Sequence, residues 1–276
     1  MVRIAHLSDL HFGTEDTVVA AALTRDVLAF APDLVVVSGD LTQRARRREF
    51  AAARAWLDAL PFPRLAVPGN HDLPLWHLFD RAVRPLARFQ HAIGSDMPLF
   101  RDRSLAVIGI NTARAGTMKS GRISHAQILA LKRFFAGAAP DALRVVVAHH
   151  QFIVPALSRH RAPLGRMELA VHALREARVD LLLAGHLHHA FSDDLAAHWP
   201  ACGRSIVVAQ AGTAISHRRG AQGNAWNAVT HDRGELVIAV RGYREGAFSE
   251  AAASRWRHQA AGWIRVDQPL ALSRDG

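Results

Sequence analysis

Seven side chains with oxygen or imidazole donors stand directly after apolar runs in this sequence: Asp9, His11, Asp40, Asn70, His149, His186 and His188. Asp9 and His11 are separated by one residue, and His186 and His188 repeat the spacing, so on extended backbone each pair projects to one face and can grip one ion. Either pair alone is a weak signal, because an aspartate at a strand end is usually a turn former. Their co-occurrence points to a metal centre, since burying so many polar groups in an apolar frame is costly without a charge to bind. Mixed carboxylate, amide and imidazole ligation suits Mn, Fe, Zn or Co, and the lack of thiolate argues against a structural zinc site. Seven donors are too many for one ion. Two ions roughly 3.5–4 Å apart that share a carboxylate suit in-line displacement at phosphorus, and Asp40 is the candidate for the shared ligand.

The elements that must deliver these donors are written in the periodicity. The run from Asp33 to Leu41 is β-branched and unbroken up to Gly39-Asp40, as in a buried parallel strand. Such a strand hands whatever follows its C-terminal end to the crevice where α/β sheets bind ligands. Residues 3–8, 64–68, 144–148 and 180–184 end in the same way, so five strands aim donors at one rim. Residues 104–111 and 205–209 read as further strands. Helical spacing covers 17–30, 46–60, 74–93 and 166–178, and another helix starts at Ser124, where Ser124 and Gln127 make a capping box. Strands at 226–230 and 235–240 flank Asp232-Arg233-Gly234, which has the composition of a hairpin turn. Beyond Tyr243, Trp256 and Trp263 are expected to pack a terminal helix on the body. Strands alternating with helices, then a β-rich end, predict a layered α/β fold.

With 276 residues, 50% of them hydrophobic, the chain can bury a full core, and no Ser/Pro/Gly linker divides residues 9 to 188, so one domain is expected. A single cysteine, Cys202, excludes a disulfide framework and fits a reducing compartment. No apolar run approaches the roughly 18 residues of a membrane span and nothing resembles a secretory signal, so a cytoplasmic location is expected. The net charge of +10 attracts anionic substrates. The arginines are scattered, with Arg44 to Arg48 the one dense block, so a nucleic-acid partner is compatible with the charge but not favoured.

His6 to His11, Gly39-Asp40, Gly69-Asn70-His71-Asp72, His149 and Gly185-His186-Leu187-His188 stand in the order of five signature blocks, and over residues 4–188 the sequence resembles the calcineurin-like metallophosphoesterases. That resemblance implies a two-sheet α/β sandwich flanked by helices in four layers, αββα. It implies one metallophosphoesterase domain over residues 1–276, with 217–276 a C-terminal elaboration of hairpin plus tail. Asp9, His11, Asp40 and His188 would hold the first of two divalent metal ions, and Asp40, Asn70, His149 and His186 the second. His71 would contact the phosphate and protonate the leaving oxygen, and Asp72 would orient His71. The implied reaction is hydrolysis of a small phosphodiester by a metal-bridging hydroxide. Within the superfamily the chain is similar to class III cyclic-nucleotide phosphodiesterases and bacterial glycerophosphodiesterases. Phosphomonoesterases and nucleases use the same ligands, and a non-catalytic scaffold is the rival from another class.

One departure from those relatives is His149-His150-Gln151, where they usually carry His-x-Pro. His149 is taken as the ligand because it directly follows the strand at 145–148. The segment from Ala211 to Arg219, with Asn224 and Asn227, also resembles a stretch in bacterial members. If the strand at 205–209 runs like the others, Arg218 and Arg219 face the same rim and could clamp a substrate phosphate. Substrate choice is expected to rest on rim loops at 12–16, 112–120 and 155–165. A homodimer is left open.

Overall fold

Both faces of the central strands are apolar, so each sheet must be covered on two sides. The computed structural model describes residues 1–75, 78–117, 120–155, 162–218, 220–260 and 262–267. In chain order it contains β1 (Val2–Leu7), α1 (Thr17–Phe30), β2 (Leu34–Val37), α2 (Arg47–Asp58), β3 (Arg64–Ala66), α3 (Leu78–Val83) and α4 (Ala87–Ala92). There follow β4 (Leu99–Arg101), β5 (Leu105–Ile110), α5 (His125–Ala136), β6 (Leu143–Ala148), α6 (Met167–Glu176), β7 (Leu181–Ala184), β8 (Phe191–Asp194) and α7 (Leu195–His198). The chain ends in β9 (Val207–Gln210), β10 (Ala225–Asp232), β11 (Glu235–Arg244), β12 (Ala247–Gln259) and β13 (Gly262–Arg265).

These strands form two mixed sheets, in the orders β13-β12-β11-β10-β1-β2-β3 and β4-β5-β6-β7-β9-β8. Side-chain alternation sorts the core into three layers. Ile4, Val36 and Val67 meet Val107, Val145 and Leu183 between the sheets. Leu7, Val35 and Val37 face Leu23 of α1 and Phe50 and Leu57 of α2. Ile108, Val146 and Leu182 face Phe135 of α5 and Leu174 of α6. The result is the expected helix-sheet-sheet-helix sandwich. The centres of both sheets are parallel: β1 pairs with β2 and β2 with β3, while β5, β6, β7 and β9 run alongside one another. Their C-terminal ends therefore open on one edge of the sandwich.

Local chemistry starts the helices where expected. Asp16 caps α1 by accepting from the amides of Val18 and Val19, at 3.0 and 3.2 Å. At α5 the capping box is present in both directions: Ser124 Oγ accepts from the Gln127 amide at 3.1 Å, and Gln127 Oε1 from the Ser124 amide at 2.8 Å. Two expectations need correction. The helix expected over 74–93 is two short helices, α3 and α4, because Pro85 between them cannot donate a backbone hydrogen bond. The terminal helix expected around Trp256 and Trp263 is instead a pair of strands, β12 and β13, and both tryptophans are buried between the sheets. Among the described residues no helix is long and apolar enough to cross a membrane.

Trp226 on β10 is fully buried on the helical face of its sheet, and its Nε1 donates to Asp26 Oδ2 at 3.0 Å. Arg241 binds the same carboxylate through two hydrogen bonds of 2.6 Å. Truncating Trp226 to alanine removes a large side chain and leaves a cavity, so Trp226→Ala is expected to lower the unfolding free energy by about 3–5 kcal/mol, read from the urea midpoint.

Candidate metal centre

The parallel strand ends deliver the donors from two sheets to one place. Asp9 and His11 follow β1, Asp40 follows β2 and Asn70 follows β3, while His149 follows β6 and His186 and His188 follow β7. The side chains gather as two groups, Asp9 with His11 and His188, and Asp40 with His149 and His186, each group having ligand atoms within 4.8 Å of one another. Asp40 Oδ2 lies 3.3 Å from His149 Nε2 and 3.8 Å from His11 Nε2, so one carboxylate faces both groups. Asn70 Oδ1 is 3.1 Å from His149 Nε2. All seven donors selected from the sequence are thus brought together.

Backbone conformation rarely used by L residues holds them there. Asp9, His11, Asp40, His186 and His188 all have positive φ, from 49° to 76°. Such strain persists only where the surroundings over-determine it. Here the amides of Asp9, His11 and Phe12 donate to the carbonyls of Gly39, Asp40 and Leu41, at 3.1, 2.9 and 2.9 Å, which laces the loop after β1 to the loop after β2. Two glycines permit the close approach. A Cβ on Gly69 would sit on the Asp40 carboxylate, and a Cβ on Gly185 would sit on Ser8 Oγ.

Hydrogen bonds outside each group decide which ring nitrogen faces inward. His149 Nδ1 lies 2.8 Å from the Ser38 carbonyl, which only accepts, so Nδ1 carries a proton and Nε2 is the nitrogen turned toward Asp40, Asn70 and His186, available to a metal once its own proton leaves. His188 Nδ1 lies 2.6 Å from Thr213 Oγ1, and that hydroxyl donates onward to the Arg218 carbonyl at 3.1 Å. His188 Nε2 is therefore the lone-pair nitrogen, 3.5 Å from Asp9 Oδ1. Asp9 Oδ2 accepts from Ser8 Oγ at 2.6 Å and from the His186 amide at 3.0 Å, while among the described residues Oδ1 has no hydrogen-bond partner. Among the same residues neither ring nitrogen of the fully buried His11 has a hydrogen-bond partner, and its Nε2 faces Asp9 at 3.6 Å and Asp40 at 3.8 Å.

Carboxylate oxygens and imidazole nitrogens that converge in this way need positive charge among them, a proton on an imidazole in the bare protein or a cation bound between them. Oxygen and imidazole donors without thiolate fit divalent cations of the borderline class, so the residues present fit the metals that the sequence implies. The protein's own charges express the same field. Burial alone would lower the pKa of His149, but the Asp40 carboxylate outweighs it and pushes it up to about 9. Burial would raise the pKa values of Asp9 and Asp40, yet the surrounding imidazoles, His188 foremost for Asp9 and His149 for Asp40, hold both below the usual carboxylate range.

His71 stands at the edge of this cluster, its ring edge-on to His11 with centroids 4.9 Å apart. Its Nδ1 lies 2.8 Å from the Gln43 carbonyl, which makes Nε2 the nitrogen that can meet a ligand. Arg218 Nη1 lies 3.0 Å from that Nε2. Burial, with the charges of His11 and Arg218, outweighs Asp40 and holds the His71 pKa below its ordinary value. Asp72, expected to orient His71, instead accepts from the amides of Leu41, Thr42 and Gly69 and from Thr42 Oγ1. It ties the loop after β2 to the loop after β3, while the Gln43 carbonyl sets the His71 ring. Burial and the nearby Asp40 charge outweigh those bonds and raise the Asp72 pKa to about 6. Arg219 lies outside the described residues.

Sequence reasoning missed the anchors Ser8, Ser38, Gln43 and Thr213. Ser8 alone carried a legible signal, a hydroxyl beside the donor Asp9 at the end of β1. His6, read as a neighbour of the ligands, spans Ser38 Oγ at 2.9 Å and Asn227 Nδ2 at 3.3 Å, and burial depresses its pKa to about 3. His150 is outside both donor groups. Its Nδ1 lies 2.8 Å from Thr112 Oγ1, and burial, then the neighbouring His149 and His186, keep its pKa well below the ordinary value.

Comparison with known proteins agrees with this architecture. The model of the calcineurin-like phosphoesterase family matches residues 2–190, and the chain belongs to that family. It is 34% identical to glycerophosphodiester phosphodiesterase GpdQ of Enterobacter lignolyticus over 131 residues, 42% of this chain and 45% of the relative. It is 33% identical to a probable cyclic nucleotide phosphodiesterase of Synechococcus over 82 residues, 26% of this chain and 32% of the relative. The matched stretches thus span less than half of either curated relative. In fold the chain is similar to a purple acid phosphatase from yellow lupin seeds, with a TM-score of 0.69 at 12% identity over 91% of this chain and 53% of that one. It is also similar to a dimetal phosphatase from Danio rerio, with a TM-score of 0.62 at 14% identity over 87% and 96% of the respective chains.

Proposed function

We propose that this protein is a binuclear metal-dependent phosphoesterase that hydrolyses small phosphodiesters of the cyclic-nucleotide or glycerophosphodiester type. The observation that carries the reading is the Asp40 carboxylate facing two donor groups at once, 3.3 Å from His149 and 3.8 Å from His11. Asp9, His11, Asp40 and His188 would hold one divalent cation, and Asp40, Asn70, His149 and His186 the other. When bound, such a pair supplies activation of water at neutral pH and neutralises charge developing on the phosphoryl oxygens. The chain's own residues do the rest. His71, its Nδ1–H committed to the Gln43 carbonyl, presents Nε2 to the departing oxygen and would protonate it as the imidazolium, a form that its lowered pKa makes the minor one at neutral pH and the stronger acid. Arg218 has a guanidinium at that nitrogen and can transfer its hydrogen bond to a phosphoryl oxygen. Asp72 keeps the loops of Asp40 and His71 in register. The diester reading is supported by the names of both curated relatives. We read residues 1–276 as one domain in a reducing compartment, supported by the pairing of β10 with β1 and by the free, buried Cys202.

Turnover of bis-p-nitrophenyl phosphate and p-nitrophenyl phosphate, measured after EDTA and after Mn²⁺ is restored, tests this. The diester is expected to be the better substrate, with activity lost to EDTA and regained with Mn²⁺. A monoester preference would defeat the substrate class, and silence on both in every metal state would favour a non-catalytic scaffold.

A further inference from the structure

The rim beyond His150 carries positive charge that the metal centre does not account for. Arg114 donates through Nε and Nη2 to the Arg122 carbonyl, at 3.3 and 3.0 Å, and Arg166 Nη1 lies 3.5 Å from the Ile123 carbonyl. Two guanidinium groups thus reach consecutive peptide carbonyls, and the side chain of Arg122 is exposed between them in sequence. Among the described residues none of the three has a carboxylate partner. What acts on Arg114 is burial, then the charges of Arg122 and Arg166, and all three push its pKa below the ordinary value. Like charges gathered in this way are unfavourable unless an anion joins them.

The backbone is built to keep them together. Arg166, the residue before α6, takes the left-handed conformation at φ 67° and ψ 28°, which a side chain of its size rarely adopts. As the cap residue of a ten-residue helix, it also stands at that helix's positive end. Arg122 forms an isolated parallel bridge with Gly165. Around it the Gly165 amide donates to Gly121 at 2.9 Å, the Ile123 amide to Gly165 at 3.2 Å and the Leu164 amide to Gln151 at 3.0 Å. These bonds fasten both rim loops to the segment that carries His149. Gly121 lies so close to His150 that a Cβ there would sit on its ring, and that ring is 4.7 Å from His186 and 5.1 Å from His149, centroid to centroid. Thr112 completes the link, accepting the Arg122 amide at its carbonyl, 3.0 Å, and meeting His150 Nδ1 at its hydroxyl, 2.8 Å.

We propose that Arg114, Arg122 and Arg166 form an anion subsite on the rim of the metal centre, which takes a second negatively charged group, phosphate or carboxylate, carried on the alcohol portion of the substrate. Planar guanidinium forks match both oxyanions. The inference rests on the phosphoesterase reading and adds to it a preference among diesters.

The test uses the whole protein in two states. Stripped of metal with EDTA and then dialysed free of it, the wild type is expected to bind inorganic pyrophosphate by calorimetry. Arg122→Glu should weaken that binding at least about tenfold, while Arg122→Lys, which keeps the charge, should retain it. Loaded with Mn²⁺, Arg122→Glu should raise KM at least about tenfold for a diester with a phosphate on its alcohol, with kcat within about twofold and bis-p-nitrophenyl phosphate unaffected. Pyrophosphate binding that is the same in wild type and Arg122→Glu would overturn the subsite. Binding that depends on Arg122 with KM unchanged for both diesters would make it a site for free anions and overturn its role in substrate choice. A wild type that turns over neither diester would sink the phosphoesterase reading, and the pyrophosphate titration would still decide whether the three arginines bind an anion.

Discussion

Asp40→Ala is expected to deprive both donor groups of metal together and to abolish turnover. Its carboxylate reaches an imidazole from each cluster, His149 at 3.3 Å and His11 at 3.8 Å. Removing an outer partner of a ligand typically lowers metal affinity roughly 10–100-fold, and loss of a ligand shared by two ions should exceed that. The substitution also strips the His71 amide of its acceptor, Asp40 Oδ1 at 2.8 Å, so the leaving-group side of the site loosens as well. Elemental analysis of protein reconstituted with Mn²⁺ should find the variant depleted of both ions, with diester turnover down by more than about 100-fold. Loss of a single ion would assign Asp40 to one group only.

His71→Ala should separate chemistry from metal binding. The ring lies against His11 but belongs to neither donor group, so metal content should stay at the wild-type level while kcat falls by about 10²–10⁴-fold, the usual contribution of a positioned general acid. The loss should depend on the leaving group. An alkoxide needs a proton as it departs and a nitrophenolate hardly does, so the variant should be far more impaired on alkyl diesters than on bis-p-nitrophenyl phosphate. Equal impairment on both, or a fall in metal content matching that of Asp40→Ala, would remove His71 from the general-acid role.

The donors were legible because a strand buried on both faces has no reason to end in Asp, Asn or His, and five such ends coincide. What fixes the tautomers was not legible in the same way. Ser38 and Gln43 act on His149 and His71 through main-chain carbonyls, which carry no side-chain identity and become partners only once two loops are laced together. Asp72 was recognised as important, but its work on the amides of Leu41, Thr42 and Gly69 depends on the same lacing. In the tail, the alanine-rich stretch from Ala251 to Ala253 favours a helix by propensity. Tertiary pairing with β11 prevailed, and the surviving signal was the alternation of buried Ser254 and Trp256 with exposed Arg255 and Arg257. The short strands β4 and β8 lie at the two edges of their sheet, where half-exposed side chains leave little periodicity to read.

The central claim is that two cations occupy this centre through one shared carboxylate. The most direct measurement is the number of Mn²⁺ ions retained per chain after reconstitution and exhaustive dialysis, with wild type and Asp40→Ala side by side. The account predicts two ions in the wild type, one for each donor group, and none in the variant. A wild-type stoichiometry of one, or a variant that keeps its ions, would contradict it.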